Sequence, residues 1–139
     1  MKRILLFTGF IFLFLFSYSQ GGIDHIKKQQ YMKRANKINC DSLDGDNLSA
    51  RICANLRFQK SDSLLTVLYK KLLSEQQTDA AKNYLVNLQK SWRKFRDAHC
   101  SIIWKQFEGG SIQAEEYLNC LTELTNHRRQ ELEKLLPEN

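Results

Sequence analysis

CSIIWKQFEGGSIQAEEYLNC, residues 100–120, decides how this chain folds. Cys100 and Cys120 stand ten residues to either side of Gly110. In an antiparallel hairpin, residues equidistant from the turn face each other, so this symmetry is what a disulfide between two adjacent helices requires. Gly109 and Gly110 can take left-handed backbone angles past a helix end, and Ser111 can cap the helix that follows. Ile102 and Ile103 before the turn, and Tyr117 and Leu118 after it, carry helical spacing. The stretch predicts a stapled helical hairpin.

The other two cysteines repeat the pattern. Cys40 and Cys53 are centred between Asp46 and Asn47, beside Gly45. Four cysteines permit three pairings. Cys40 with Cys53 and Cys100 with Cys120 are preferred, because each closes a short loop worth about 3 kcal/mol in the chain-entropy model. That energy barely separates them from the rival, Cys53 with Cys100 and Cys40 with Cys120, which is centred on the turn at Gln76 and Gln77. Metal or haem binding is disfavoured, since no cysteine pair stands two residues apart and none is followed by histidine. His99 and His127 read as surface or packing residues. No cofactor is expected.

Helical periodicity organises the remainder. Leu48, Ile52 and Leu56 recur at four-residue steps, and Leu64, Leu65, Leu68, Leu72 and Leu73 continue an apolar stripe beside Tyr69. After a polar break at residues 74–79, with Thr78 as N-cap, Leu85, Leu88, Trp92, Phe95, Ile102 and Ile103 resume the pattern. Tyr117, Leu118, Leu121, Leu124, Leu132, Leu135 and Leu136 mark a last helix, which should stop before Pro137. The expected fold is all-α: a small, disulfide-stapled up-and-down bundle of three main helices, with room for a short fourth among residues 24–39.

The first nineteen residues read as a signal peptide. Lys2 and Arg3 precede an apolar run over residues 4–16, and Ser17 and Ser19 are the small residues of a cleavage site before Gln20. That run is too short to span a bilayer as a helix. Export favours disulfides and places the product in the periplasm or outside the cell. Cleavage leaves 19 basic side chains against 15 acidic ones, a formal charge of +4, in one domain at residues 40–136 preceded by a basic arm at 20–39. Lys27, Lys28, Lys33, Arg34 and Lys37 give that arm its charge, which suits anionic lipid, glycan or an envelope protein. Nothing in it forms a nucleic-acid-binding motif, and no nucleic-acid partner is expected.

Catalytic sets are absent from the pattern. Asp97 and His99 are two residues apart on a helix and diverge, as do the adjacent Glu115 and Glu116, which suit a helix N-terminus instead. No acid, base and nucleophile converge, and the chain is read as non-enzymatic. In LQKSWRKFRDAHC, residues 88–100, Trp92 and Phe95 are assigned to the core, and Arg96 and Asp97, at the edge of that face, to a surface or buried ion pair.

The chain resembles the lysozyme-inhibitor LprI-like N-terminal domains, small exported bacterial proteins mostly without assigned function. The resemblance runs from Cys40 to Leu132 and rests on Asp62, Leu65 and Tyr69, then Gln89, Trp92, Phe95, Arg96, Asp97 and Cys100. Gly109, Gly110 and Ser111 follow, and then CLTELTNHRRQEL from Cys120, with Thr125 and Arg128. Thr66 and Ser91 depart from the family's usual residues. The resemblance implies a helical envelope protein that can inhibit lysozyme by entering its glycan cleft. The turn Glu108, Gly109, Gly110, Ser111 and Ile112 is the expected contact, with Lys105 as a partner for a lysozyme carboxylate. The alternative is an envelope binding module acting through the basic arm.

Overall fold

A computed structural model describes residues 26, 28–42 and 45–136. The leader expected at residues 1–19 and the first part of the basic arm, residues 20–25 and Lys27, lie outside them. A 3-10 helix, Gln30–Lys37, precedes α1 (Asn47–Glu75), α2 (Asp79–Gln106) and α3 (Gln113–Glu133). Helix is the only regular secondary structure among the described residues. The expected three-helix bundle forms, and its short fourth element is a 3-10 helix. Both disulfides take the preferred pairing, Cys40 with Cys53 and Cys100 with Cys120, at Cα separations of 5.5 and 5.7 Å.

Local chemistry sets the helix ends. Asp46 caps α1 by accepting from the Ser49 N–H at 2.8 Å, and Thr78 caps α2 by accepting from the Ala81 N–H at 3.2 Å. Gly45 is required for close approach, since a Cβ there would lie 2.8 Å from the Ser49 Cβ. The start of α3 corrects the sequence reading: its N-cap is Ile112, without a side-chain cap, rather than Ser111. Glu115 and Glu116 in its first turn complement the helix dipole. α3 ends at Glu133, so Leu135 and Leu136 fall in the turn beyond it.

α3 is the central helix, packing along both α1 and α2, which barely touch each other. Its apolar side chains divide the core into two clusters. Near the disulfides, Ile26, Ala54, Phe58, Cys100, Leu118 and Leu121 pack together. Toward the α1–α2 turn, Leu65, Leu72, Leu85 and Leu132 do the same, with Tyr69 and Trp92 at their edge.

Several residues expected inside face solvent. Leu56 and Leu64 on α1, Leu88, Phe95 and Ile102 on α2, and Leu135 are exposed, Phe95 at 57% and Ile102 at 64%. Four-residue steps advance about 40° around a helix each time, so the Leu48, Ile52, Leu56 row walks off the core face. Burial instead follows Ile52, Asn55, Phe58, Asp62 and Leu65. On α2 the buried row is Leu85, Gln89, Arg96 and Cys100, with Trp92 half-buried along it. Phe95, three residues from Trp92, lies around the helix against exposed His99, ring centroids 5.7 Å apart.

The basic arm is also not a free extension. The buried Asn55 amide donates to the Ile26 carbonyl at 2.9 Å and to the Tyr31 hydroxyl at 3.0 Å, tying the arm to α1.

Candidate functional site

Two regions gather the residues singled out in the sequence. The first is a polar layer between the apolar clusters. Arg96 is the largest fully buried side chain, at 0% exposure. Its Nε donates to Asp97 Oδ1 at 2.9 Å and its Nη1 to the buried Thr125 hydroxyl at 3.2 Å. Nη2 stands 2.9 Å from the same Asp97 oxygen, and Asp62 Oδ1 lies 3.6 Å from Nη1. Phe58 and Trp92 flank the guanidinium at 5.6 and 5.1 Å from their ring centroids. A cation taken from water is tolerated only when so surrounded. One residue therefore joins Asp62 of α1, Asp97 of α2 and Thr125 of α3.

Arg128 extends the layer. It reaches Gln89 Oε1 at 3.4 Å, lies over Trp92 at 5.9 Å and pairs with Glu131 at 2.9 Å. Thus Asp62, Gln89, Trp92, Arg96, Asp97, Thr125 and Arg128 form one contiguous assembly, while Leu65 and Tyr69 belong to the adjoining apolar cluster. Of the surface or buried ion pair expected for Arg96 and Asp97, the structure holds the buried form for Arg96, at the centre of the bundle. Phe95 alone among the aromatic motif residues faces outward.

The second region is the α2–α3 turn at the opposite end from the α1–α2 connection. Glu108, Gly109, Gly110, Ser111 and Ile112 are all exposed. Gly109 has φ of 77°, the left-handed region that glycine enters without a Cβ penalty. Gly110 donates its N–H to the Phe107 carbonyl at 2.9 Å, and a Cβ at Gly110 would meet that oxygen at 3.1 Å. Gln113 Nε2 donates to the Trp104 carbonyl at 2.8 Å, and Arg51 Nη2 reaches the Ser111 carbonyl at 3.5 Å. With the Cys100–Cys120 disulfide at its base, the turn is a braced projection. Lys105 is paired with Glu108 at 3.1 Å, so it presents a neutralised pair rather than an isolated cation.

Sequence reading missed Asn55, which holds the arm, and Arg51, which braces the turn. A polar residue such as Asn55 within an apolar row is the available signal for the first; only tertiary placement reveals the second.

Tyr117 adjoins this end of the bundle, edge-on to Trp104 at 5.5 Å. Burial, reinforced by the Asp97 charge and opposed by Arg96, raises its phenol pKa above the usual 10.0. The hydroxyl stays protonated.

Comparison with known proteins returns the family Lysozyme inhibitor LprI, whose family model matches residues 40–132. An uncharacterized protein of Rhizobium meliloti (strain 1021) is 28% identical over 101 aligned residues, covering 64% of this chain and 73% of the relative. No solved structure gives a significant match.

Proposed function

Because the chain belongs to the LprI lysozyme-inhibitor family, we propose that it is an exported, non-enzymatic inhibitor that seats the turn at residues 108–112 in a lysozyme's glycan cleft. The leader pattern and the two disulfides support export. No described helix is long and apolar enough to cross a membrane.

The observation that carries this reading is the braced, fully exposed turn. A rigid loop loses little conformational freedom on docking, so contact energy is retained as affinity. Glycan hydrolysis relies on two carboxyl groups flanking the scissile bond, and an occluding loop need only exclude substrate from between them. Ser111 supplies a hydroxyl, Ile112 an apolar contact, and Lys105 a cation that can exchange Glu108 for a lysozyme carboxylate. The excess positive charge steers the protein toward an acidic cleft and away from lysozymes that are basic overall.

Purified protein with both disulfides formed, assayed in micromolar excess against several lysozyme types, should produce saturable loss of glycan hydrolysis. Ser111→Arg and Ile112→Asp should relieve that inhibition while leaving the helical circular dichroism unchanged. Absence of inhibition across the set, or inhibition indifferent to both turn variants, defeats the reading.

A second reading, binding of an anionic envelope surface through the arm, draws on an open hollow of about 530 Å³ lined by Gln29, Gln30, Tyr31, Lys33, Arg34 and Leu48. The 3-10 helix buries none of its residues, so its cations are displayed. Deleting the arm would strip Ile26 from the core, and charge reversal is the cleaner test. Lys33→Glu with Arg34→Glu should abolish salt-sensitive adsorption to anionic vesicles if this reading holds, and leave lysozyme inhibition intact.

A further inference from the structure

Beside the turn, and lined by none of residues 108–112, lies a groove of about 410 Å³. Its apolar lining comes from Ile26, Trp104, Ala114, Tyr117 and Leu118, and Arg51 is the one charged side chain along it among the described residues. We infer that this groove is a binding site for a small amphipathic acid, an apolar chain or ring bearing one anionic head, with Arg51 holding the head.

The volume falls in the range of small-ligand sites, and a mostly apolar lining with few polar groups is their usual character. Arg51 has donor capacity to spare. Its guanidinium lies over the Tyr31 ring at 5.7 Å, Nη2 makes only the long 3.5 Å contact with the Ser111 carbonyl, and Nε is buried without a hydrogen-bond acceptor. An anionic oxygen would be met by the Nη donors at the exposed end of the guanidinium, of which Nη2 makes only that long contact. The remaining polar lining is sparse: Ser101 donates to the Ala98 carbonyl at 2.6 Å, the Tyr31 oxygen accepts from Asn55, and Gln29 adds one amide. A sugar carries a hydroxyl on nearly every carbon and would leave most of them unpaired here, which argues against glycan. The frame is also fixed in advance. Cys100–Cys120 joins α2 to α3, the two helices that supply Ser101, Trp104, Ala114, Tyr117 and Leu118, while Asn55 holds Ile26 and Tyr31 against α1.

Calorimetric titration of the oxidised protein with decanoate, and with decanol as the uncharged probe of equal chain length, tests the site. Decanoate should bind one saturable site, and decanol at least about tenfold more weakly, as expected for loss of a charge-assisted contact. Arg51→Gln should bring decanoate down to the decanol level and leave decanol unchanged. Ala114→Phe should block both ligands from one wall, and Ser101→Trp from another, so that a folding failure in either leaves the second to decide. Decanol binding as tightly as decanoate, decanoate binding indifferent to Arg51→Gln, or no saturable binding at millimolar probe overturns the site. Binding that survives both blocking variants also overturns it, placing the ligand on the exposed row Leu88, Phe95 and Ile102.

Discussion

The Arg96 layer and the α2–α3 turn both draw on residues on which the sequence resemblance rests, yet they differ in nearly every physical respect. In the layer, seven such residues converge in the interior, and the group at its centre has no contact with solvent. In the turn, Gly109, Gly110 and Ser111 are exposed and braced from behind by backbone hydrogen bonds, Arg51 and a disulfide. Residues that carry a resemblance can therefore do so by specifying how three helices meet, as Arg96 does with Asp62 and Thr125. The turn presents its side chains outward, and the layer ties the three helices together.

The largest effect should come from breaking the layer. Arg96→Ala removes the cation and opens a void beside Asp62 and Thr125, which should cost about 3–5 kcal/mol, the range for removing one member of a buried ion pair. Arg96→Met combined with Asp62→Leu should recover most of that loss in denaturant unfolding, since a packed apolar replacement removes both desolvated charges. If the double variant is no more stable than Arg96→Ala, the layer specifies the fold by more than charge compensation.

The two disulfides sharpen the contrast. Each closes a short loop, with sequence separations of 13 and 20, and removing either pair should cost about 3 kcal/mol in the chain-entropy model. Their functional consequences should diverge. Cys100→Ser with Cys120→Ser frees the base of the turn and should weaken lysozyme inhibition more than the stability loss alone explains. Cys40→Ser with Cys53→Ser should lower the unfolding midpoint alike and spare inhibition by the folded fraction. Equal losses of inhibition in both variants would mean that the turn is not the contact.

At the turn itself the expected effect is smaller. Gly109→Ala meets no neighbour within 4 Å, so the cost is conformational: about 1–2 kcal/mol for an L-residue held at a left-handed angle. The protein should stay folded while the turn relaxes, and the inhibition constant should rise more than the unfolding midpoint falls. A matched change in both would make Gly109 a helix stop and nothing more.

What the sequence disclosed follows the same division. Cysteine symmetry about Gly110 located the turn and favoured the pairing found, and Thr78 marked the start of α2, because these are local relations along the chain. The layer was hidden for a nonlocal reason. Leu88, Phe95 and Ile102 form a seven-residue apolar row as regular as the one through Leu85 and Trp92, and counting hydrophobic residues cannot choose between them. The true face is interrupted by Gln89 and Arg96, as that of α1 is by Asn55 and Asp62. Those polar side chains become core only when other elements pack over them, α3 over Gln89 and Arg96 and the arm over Asn55. Arg51 was equally invisible, since its meeting with Ser111 spans sixty residues.

The smallest expected effect concerns Asp46, far from the layer and fully exposed. Hydrogen bonding from the Ser49 N–H, then from the Ser49 side chain, lowers its carboxyl pKa below 3.8. Because the folded-state value lies under the unfolded one, the cap's contribution is fully present above pH 3.8 and disappears as pH falls through the depressed value. Asp46→Asn keeps a capping oxygen but no longer exchanges that proton on unfolding. Its stability should accordingly fall less steeply with acid than that of the parent, measured as denaturant midpoint against pH, with the two curves running parallel at neutral pH. Curves that remain parallel through the acid limb would show that the carboxylate's charge is not what the α1 cap contributes.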